Sequence, residues 1–249
     1  MKLKNKILFA AGALGSAAFI INAVLSGASA SDMIIPEGFT VTAHTGCQGA
    51  KDNSLDAITL GYGYGADIVE FDLNFNSDGT PVLSHDEPKG NEATLDEAFR
   101  LIAGYKGLGV NVDVKNPLDL KKVKELAVKH GILDRIFFTG IDENWSVAVR
   151  EQTPDIMYFL NADIDKSRIN EKAYIDELIS TVKSTGAVGL NINYKSCSRL
   201  MVELFHNEGL KVSVWTVNKM SAMRRVLTYG CDNITTRKVE DMMSLVKPY

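Results

Sequence analysis

Cysteine is scarce in this chain: Cys47, Cys197 and Cys231 allow at most one internal pairing, and their spacing matches no metal-ligand motif. They read as small buried hydrophobes. Long basic runs are missing as well, and a formal net charge of -4 leaves no electrostatic footprint for nucleic acid. An anionic substrate would therefore have to be held by local groups. Neither GxGxxG nor GxxxxGK[ST] occurs, so the phosphate cradle usual in an open doubly wound sheet is lacking. Ser54 has no Gly-x-Ser-x-Gly context, which leaves a serine hydrolase with little support. With 249 residues and 45% hydrophobic content, the chain can bury a full core and needs no more than one globular domain.

The N-terminus differs in kind from the rest. Lys2, Lys4 and Lys6 precede an uncharged apolar run over residues 7–25, and Ser26-Gly27-Ala28-Ser29-Ala30 follows with an A-x-A arrangement. Residues 1–30 thus form an export signal, with cleavage expected after Ala30. The run is also just long enough to span a bilayer uncleaved, in which case residues 7–25 would anchor the chain to a membrane. Either outcome puts residues 31–249 outside the cytoplasm, secreted or membrane-anchored. No cysteine precedes Cys47, so a lipidated N-terminus has no attachment point.

From residue 38 onward, strand and helix patterns alternate. Strands are expected at 38–44, from 67, and at 110–115, 135–140, 156–161, 187–193, 211–217 and 233–236. Helices fall at 52–64 with Asp52 as cap, 94–104, 118–130, 145–152, 172–185, 196–207, 220–229 and 239–246. After the second strand, Asn76-Ser77-Asp78-Gly79 reads as a turn and Pro81-Val82-Leu83-Ser84 is extended again, making a hairpin. Eight strands alternating with eight helices demand a parallel sheet and predict a single-domain (β/α)8 TIM barrel with a hairpin extension after strand 2.

In such a barrel the active site lies at the C-terminal strand ends. Side chains alternate along a strand, so Glu70 and Asp72 share one face and Val69, Phe71 and Leu73 the other; Asn111, Asp113 and Lys115 repeat the pattern. Glu70, Asp72 and Asp113 converging at the mouth would raise one another's pKa, which a divalent cation resolves; hard oxygen ligands suit Mg²⁺ or Ca²⁺. The competing reading pairs Glu70 or Asp72 with Lys115 alone. Of the four histidines, His130 and His206 stand near glycines at expected helix ends, where the dipole favours a cation. His44 ends the first strand and His85 returns beside the acids through the hairpin, so these two suit proton exchange. Lys115 offers a point charge for phosphate or a structural ion pair. Trp215 either walls the pocket or fills the core.

These residues resemble the glycerophosphodiester phosphodiesterase family, a branch of the phospholipase-C-like barrels, over about residues 42–240. His44-Thr45-Gly46 stands for the family's His-Arg-Gly, Asp52-Asn53-Ser54 for its Glu-Asn-Thr, and Gly65-Ala66-Asp67 with Glu70-Phe71-Asp72 for its Gly-Ala-Asp and Glu-x-Asp. Asp78-Gly79 and His85-Asp86 follow at family spacing, Asp113-Val114-Lys115 looks like its Glu-x-Lys, and Val214-Trp215-Thr216-Val217-Asn218 copies a late strand. The resemblance implies metal-dependent hydrolysis of glycerophosphodiesters to glycerol phosphate and an alcohol. It makes His44 and His85 the acid/base pair, Glu70, Asp72 and Asp113 the metal ligands, and Lys115 a phosphate contact. Three departures stand out: Thr45 replaces a phosphate-holding arginine, the insertion after His85-Asp86 is much reduced, and Ile234-Thr235-Thr236-Arg237-Lys238 lacks the usual Asp and Pro. The short insertion and the Asp at the third ligand are also similar to sphingomyelinase D- and lysophospholipase D-like enzymes acting on choline-bearing lipids, which is the enzymatic alternative. A non-catalytic phosphate-ester binding protein is the other.

Overall fold

The computed structural model describes residues 20–21 and 33–247. Eight parallel strands close on themselves: β1 (Thr40–Ala43), β2 (Ile68–Phe75), β4 (Gly109–Val114), β5 (Ile136–Ile141), β6 (Tyr158–Asn161), β7 (Gly189–Asn193), β8 (Lys211–Trp215) and β9 (Asn233–Thr236). Each pairs with the next, and β9 returns to β1 through Ile234 opposite Val41. The hairpin strand β3 (Pro81–Leu83) runs antiparallel to β2. Eight helices follow the barrel strands: α1 (Leu55–Gly63), α2 (Leu95–Ala103), α3 (Leu120–Lys129), α4 (Glu143–Gln152), α5 (Lys172–Thr185), α6 (Arg199–Asn207), α7 (Met220–Leu227) and α8 (Val239–Val246). This is the (β/α)8 barrel that the alternation predicts, hairpin included.

Register explains why the strands alternate as they do. Directly paired residues of neighbouring parallel strands lie on one face, so Thr42, Ile68, Glu70, Asp72, Asn111, Asp113, Thr139, Asn191, Ser213 and Asn233 all share it. That face lines the interior. Near the starts of the strands Ile68, Phe137 and Phe159 form an apolar plug, the two rings meeting edge-on at 5.6 Å. Above them hydroxyls and amides take over: Asn233 donates to Thr42 Oγ1 at 2.7 Å and accepts from Ser213 Oγ at 3.1 Å. The opposite face carries Val41, Val69, Phe71, Leu73, Val112, Phe138, Leu190 and Val214, all buried under the helix ring in the main core. Stability is thus built outside the barrel wall and polarity inside it.

Several element ends differ from expectation, for local reasons. Helix α1 is capped by Ser54, whose Oγ accepts from Ala57 N at 3.2 Å, and not by Asp52. Asn53 lies in the left-handed region (φ 55), so no helix can run through it from Asp52. Helix α6 starts at Arg199 because a separate 3-10 turn occupies Tyr194–Ser196 and Ser198 caps the helix. Helix α2 begins near the expected position and has a full capping box between Thr94 and Glu97. The export reading of residues 1–30 falls outside the described residues, apart from Ile20–Ile21, which pair antiparallel with Ile34–Ile35. Among the described residues no helix is long and apolar enough to cross a membrane.

Phe71 of β2 meets Phe99 of α2 at 6.4 Å, with both side chains fully enclosed. This contact fastens the strand that carries two of the acids to its helix. Phe99→Ala should lower unfolding free energy by about 3–5 kcal/mol, the usual loss for a buried phenylalanine, measured by urea titration.

Candidate active site

A cleft of ≈ 980 Å³ opens at the C-terminal ends of the strands and is lined by His44, Glu70, Asp72, His85, Asp113, Lys115 and Trp215, every residue singled out from the sequence. The hairpin contributes directly, since Ser84 N donates to Asp72 O at 3.0 Å and so brings His85 back to the mouth. His130 and His206 lie elsewhere, ending helices and bonded to Asp96 and Asp232 respectively. All three cysteines are buried and free; burial pushes the Cys47 thiol up to about 11.

Glu70, Asp72 and Asp113 each offer an oxygen, and these oxygens lie within 4.8 Å of one another. Asp72 is directly opposite Asp113 in register, and Glu70 precedes Asp72 by two residues on the same strand face. Both acids of β2 are buried, at 6% and 4% exposure, so solvent does little to separate the charges. Lys115 Nζ bridges Asp113 at 2.7 Å and Asp72 at 3.1 Å. The ion-pair reading of Lys115 is therefore also true, and it accounts for two of the three acids. Burial works against the lysine's charge, yet the two aspartates hold its pKa at about 12. Glu70 has Thr45 N–H on Oε2 at 2.8 Å; burial first, then Asp72 and Asp113, push its carboxyl well above the usual range. Burial also raises Asp113, against the pull of Lys115.

Three carboxylates facing one ammonium, with oxygen donors only, fit a divalent cation and could hold one. Gly140 makes room for this cluster. Its φ is 76°, and a Cβ there would stand 2.4 Å from Asp113 Oδ1 and from Val114 O, so a side chain would displace the carboxylate.

The sequence reading missed the amides that hold the acids. Asn53 grips Asp72 twice, its Nδ2 donating to Oδ2 at 2.8 Å and its Oδ1 accepting from the backbone N at 2.9 Å. Thr45 in turn fixes Asn53 through its hydroxyl. Thr139 Oγ1 lies 2.9 Å from Asn111 Oδ1 and 3.1 Å from Asp113 Oδ1. The signal for Asn53 was its place in Asp-Asn-Ser before a helix, where a left-handed residue is common.

The two histidines of the cleft live in different surroundings. His44 is half-buried, with Nδ1 2.9 Å from Thr45 O and 3.2 Å from Arg237 Nε. Burial, reinforced by the Arg237 charge, lowers its pKa. His85 is exposed at 66% and pairs with Asp86 at 2.8 Å, a bond that lowers the Asp86 carboxyl. Trp215 lines the cleft, and its Nε1 is buried without a hydrogen-bond partner among the described residues.

Fold and cleft together define a (β/α)8-barrel hydrolase of phosphoric diesters. The chain belongs to the Glycerophosphoryl diester phosphodiesterase family, whose model matches residues 42–132 and 113–241. It is 22% identical over 298 residues to the glycerophosphodiester phosphodiesterase of Bacillus subtilis, covering 99% of both chains. With the Caldanaerobacter subterraneus enzyme of the same name it shares 25% over 240 residues, 83% of this chain and 97% of that one. Among solved structures it resembles a phosphodiesterase from Oleispira antarctica in complex with the product sn-glycerol-3-phosphate, with a TM-score of 0.70 at 21% identity, covering 83% of this chain and 96% of that one.

The raised carboxyls set a pH dependence. Glu70 and Asp113 bind protons in the folded chain at pH values where the unfolded chain has lost them, so stability falls as pH rises from the ordinary carboxylate range through their raised values. Chelator-treated protein should therefore melt at lower temperature toward neutral pH, and added Mg²⁺ or Ca²⁺ should restore it most where the acids are ionised. Glu70→Gln should raise the melting temperature of the metal-free protein near neutral pH and weaken its response to the cation. Scanning calorimetry across pH reads all three effects.

Proposed function

We propose that this chain hydrolyses glycerophosphodiesters to glycerol phosphate and an alcohol, with Glu70, Asp72 and Asp113 holding Mg²⁺ or Ca²⁺ and His44 and His85 sharing the proton transfers. The observation that carries this reading is the oxygen cluster with two histidines of unlike environment in one cleft. The named activity of the two curated relatives supports the substrate class, and the product held by the Oleispira phosphodiesterase agrees with it. A bound cation would supply charge to offset that developing on phosphate oxygens.

The residues divide the remaining work. Cleavage requires a proton taken from the attacking oxygen and another given to the leaving alkoxide. His44, half-buried beside a guanidinium, is kept neutral and suits the base. With Nδ1–H donated to Thr45 O, its Nε2 is left bare to accept a proton. His85, exposed at the rim with Nδ1 2.8 Å from Asp86 Oδ1, is placed to hand a proton to a departing group and suits the acid. Lys115, through its third N–H, is available to phosphate oxygens at the cleft wall, and Trp215 walls the cleft.

Turnover of a glycerophosphodiester should vanish in chelator and return with the cation. His44→Ala and His85→Ala should each lower kcat roughly 10²–10⁴-fold, the worth of a positioned acid or base. On a substrate with a nitrophenolate leaving group, which departs unprotonated, His85→Ala should recover most of its rate and His44→Ala should not. Equal losses in both variants on that substrate would reverse the assignment of roles.

Export is proposed from the sequence of residues 1–30, and residues 31–249 are proposed as the catalytic domain. Expressed with its own leader in a bacterial host, the mature chain should begin at Ser31 in N-terminal mass analysis. A full-length chain in the membrane fraction would instead mark residues 7–25 as an anchor.

A further inference from the structure

We infer that Arg237, at the end of β9, binds a non-bridging oxygen of the substrate phosphate, with Asp52 as the residue that aims it. This rests on the phosphodiesterase reading above and names a residue that the reading does not use. A phosphodiester is an anion, and the cluster it must approach is a nest of carboxylates. Lys115 has two of its three N–H donors on Asp72 and Asp113, which match most of its charge. Position 45, where the family motif has an arginine, holds a threonine turned inward: it is 4% exposed and its hydroxyl is occupied by Asn53. A guanidinium lines the cleft instead from the opposite end of the chain.

Arg237 is held on three sides. Its backbone N donates to Asn218 Oδ1 at 2.8 Å, its carbonyl accepts from Gln48 N at 2.9 Å, and its Nη2 donates to Asp52 Oδ2 at 2.9 Å. Asp52 is fixed in turn, because Gly46 leaves the space its carboxylate fills: a Cβ on residue 46 would lie 1.8 Å from Asp52 Oδ1. Stability does not explain the arrangement. The Asp52–Arg237 pair is exposed at 53% and 37%, where ion pairs contribute little, and the guanidinium opposes protonation of His44. Nη1 engages no acceptor among the described residues, which leaves it for an oxygen in the cleft. Arginine is the side chain best shaped for phosphate.

The contact with His44 ties binding to proton transfer. Nδ1 faces a carbonyl, which requires the nitrogen to donate, and Arg237 Nε–H, which requires it to accept; it cannot satisfy both at once. When phosphate draws the guanidinium away, Nδ1–H settles on Thr45 O and Nε2 is left free as a base.

The test uses the full-length chain with Arg237→Ala, Arg237→Lys and Asp52→Asn. Calorimetry measures affinity for inorganic phosphate and for sn-glycerol 3-phosphate, and kinetics measure KM and kcat on a glycerophosphodiester. Arg237→Ala should weaken phosphate affinity and raise KM roughly 10–100-fold, as loss of a charge-assisted hydrogen bond would. Free guanidinium should restore part of the affinity, Arg237→Lys should lose less, and Asp52→Asn should move in the same direction by a smaller factor. Affinity and KM of Arg237→Ala within twofold of the parent, with its melting temperature unchanged, would overturn the inference. So would a loss confined to kcat, which would make Arg237 a positioning residue for His44 alone. If the parent chain turns over no glycerophosphodiester yet loses phosphate affinity on Arg237→Ala, the hydrolytic reading fails and the anion site stands.

Discussion

The burial of three carboxylates within 4.8 Å of one another is the constraint around which the mouth of this barrel is built. Ionised acids withdrawn from water repel strongly, and a single ammonium cannot neutralise them all. The surrounding groups answer this directly. Asn53 and Thr139 engage the two aspartates, Thr45 N–H serves Glu70, and Lys115 bridges Asp72 and Asp113. Glu70 lacks the lysine's direct contact, and burial together with Asp72 and Asp113 raises its pKa. The groups around the acids prepare a site that could hold a cation.

That preparation is affordable because the fold separates its duties. The apolar faces of the strands pack outward on the helix ring, so the large core forms without the acids, histidines and lysine of the mouth. Inside, the plug of Ile68, Phe137 and Phe159 closes the strand starts, and the amide and hydroxyl layer above it satisfies itself side chain to side chain. Polar groups in that layer keep hydrogen-bond partners and so avoid the penalty of bare burial. Chemistry at the rim can then vary while the barrel persists.

Legibility in the sequence followed the range of the interaction. Alternation within one strand is a local pattern, so Glu70 and Asp72 on one face and Val69, Phe71 and Leu73 on the other could be read directly, as could the hairpin at Asn76–Gly79 and the capping box at Thr94. Helices α5 and α8 and strand β9 end where their patterns end. What escaped depends on convergence of distant residues. Asp52 looks like a helix cap when only its neighbours are considered, but Arg237, 185 positions later, claims its carboxylate. Asn53 reaches across 19 positions to Asp72, and Arg237 reaches 193 positions back to His44. No local period records such contacts. Motif resemblance located the motif as Asp52-Asn53-Ser54 without saying what each residue holds.

Thr45 shows how a departure in a motif propagates through a structure. Replacing a long cation by a short hydroxyl removes positive charge from the floor of the cleft, yet the new side chain is not idle. Its hydroxyl locks Asn53, which locks Asp72, while its backbone N–H remains on Glu70. One residue thereby braces two of the three acids, a role a guanidinium projecting into the cleft could not fill from the same buried position. The end of β9 is adjacent because β9 pairs with β1 in register, Thr236 opposite Ala43. Barrel closure thus brings residue 237 beside residue 44. A cation at either position faces the same space, because closure of the barrel sets the end of β9 against the end of β1.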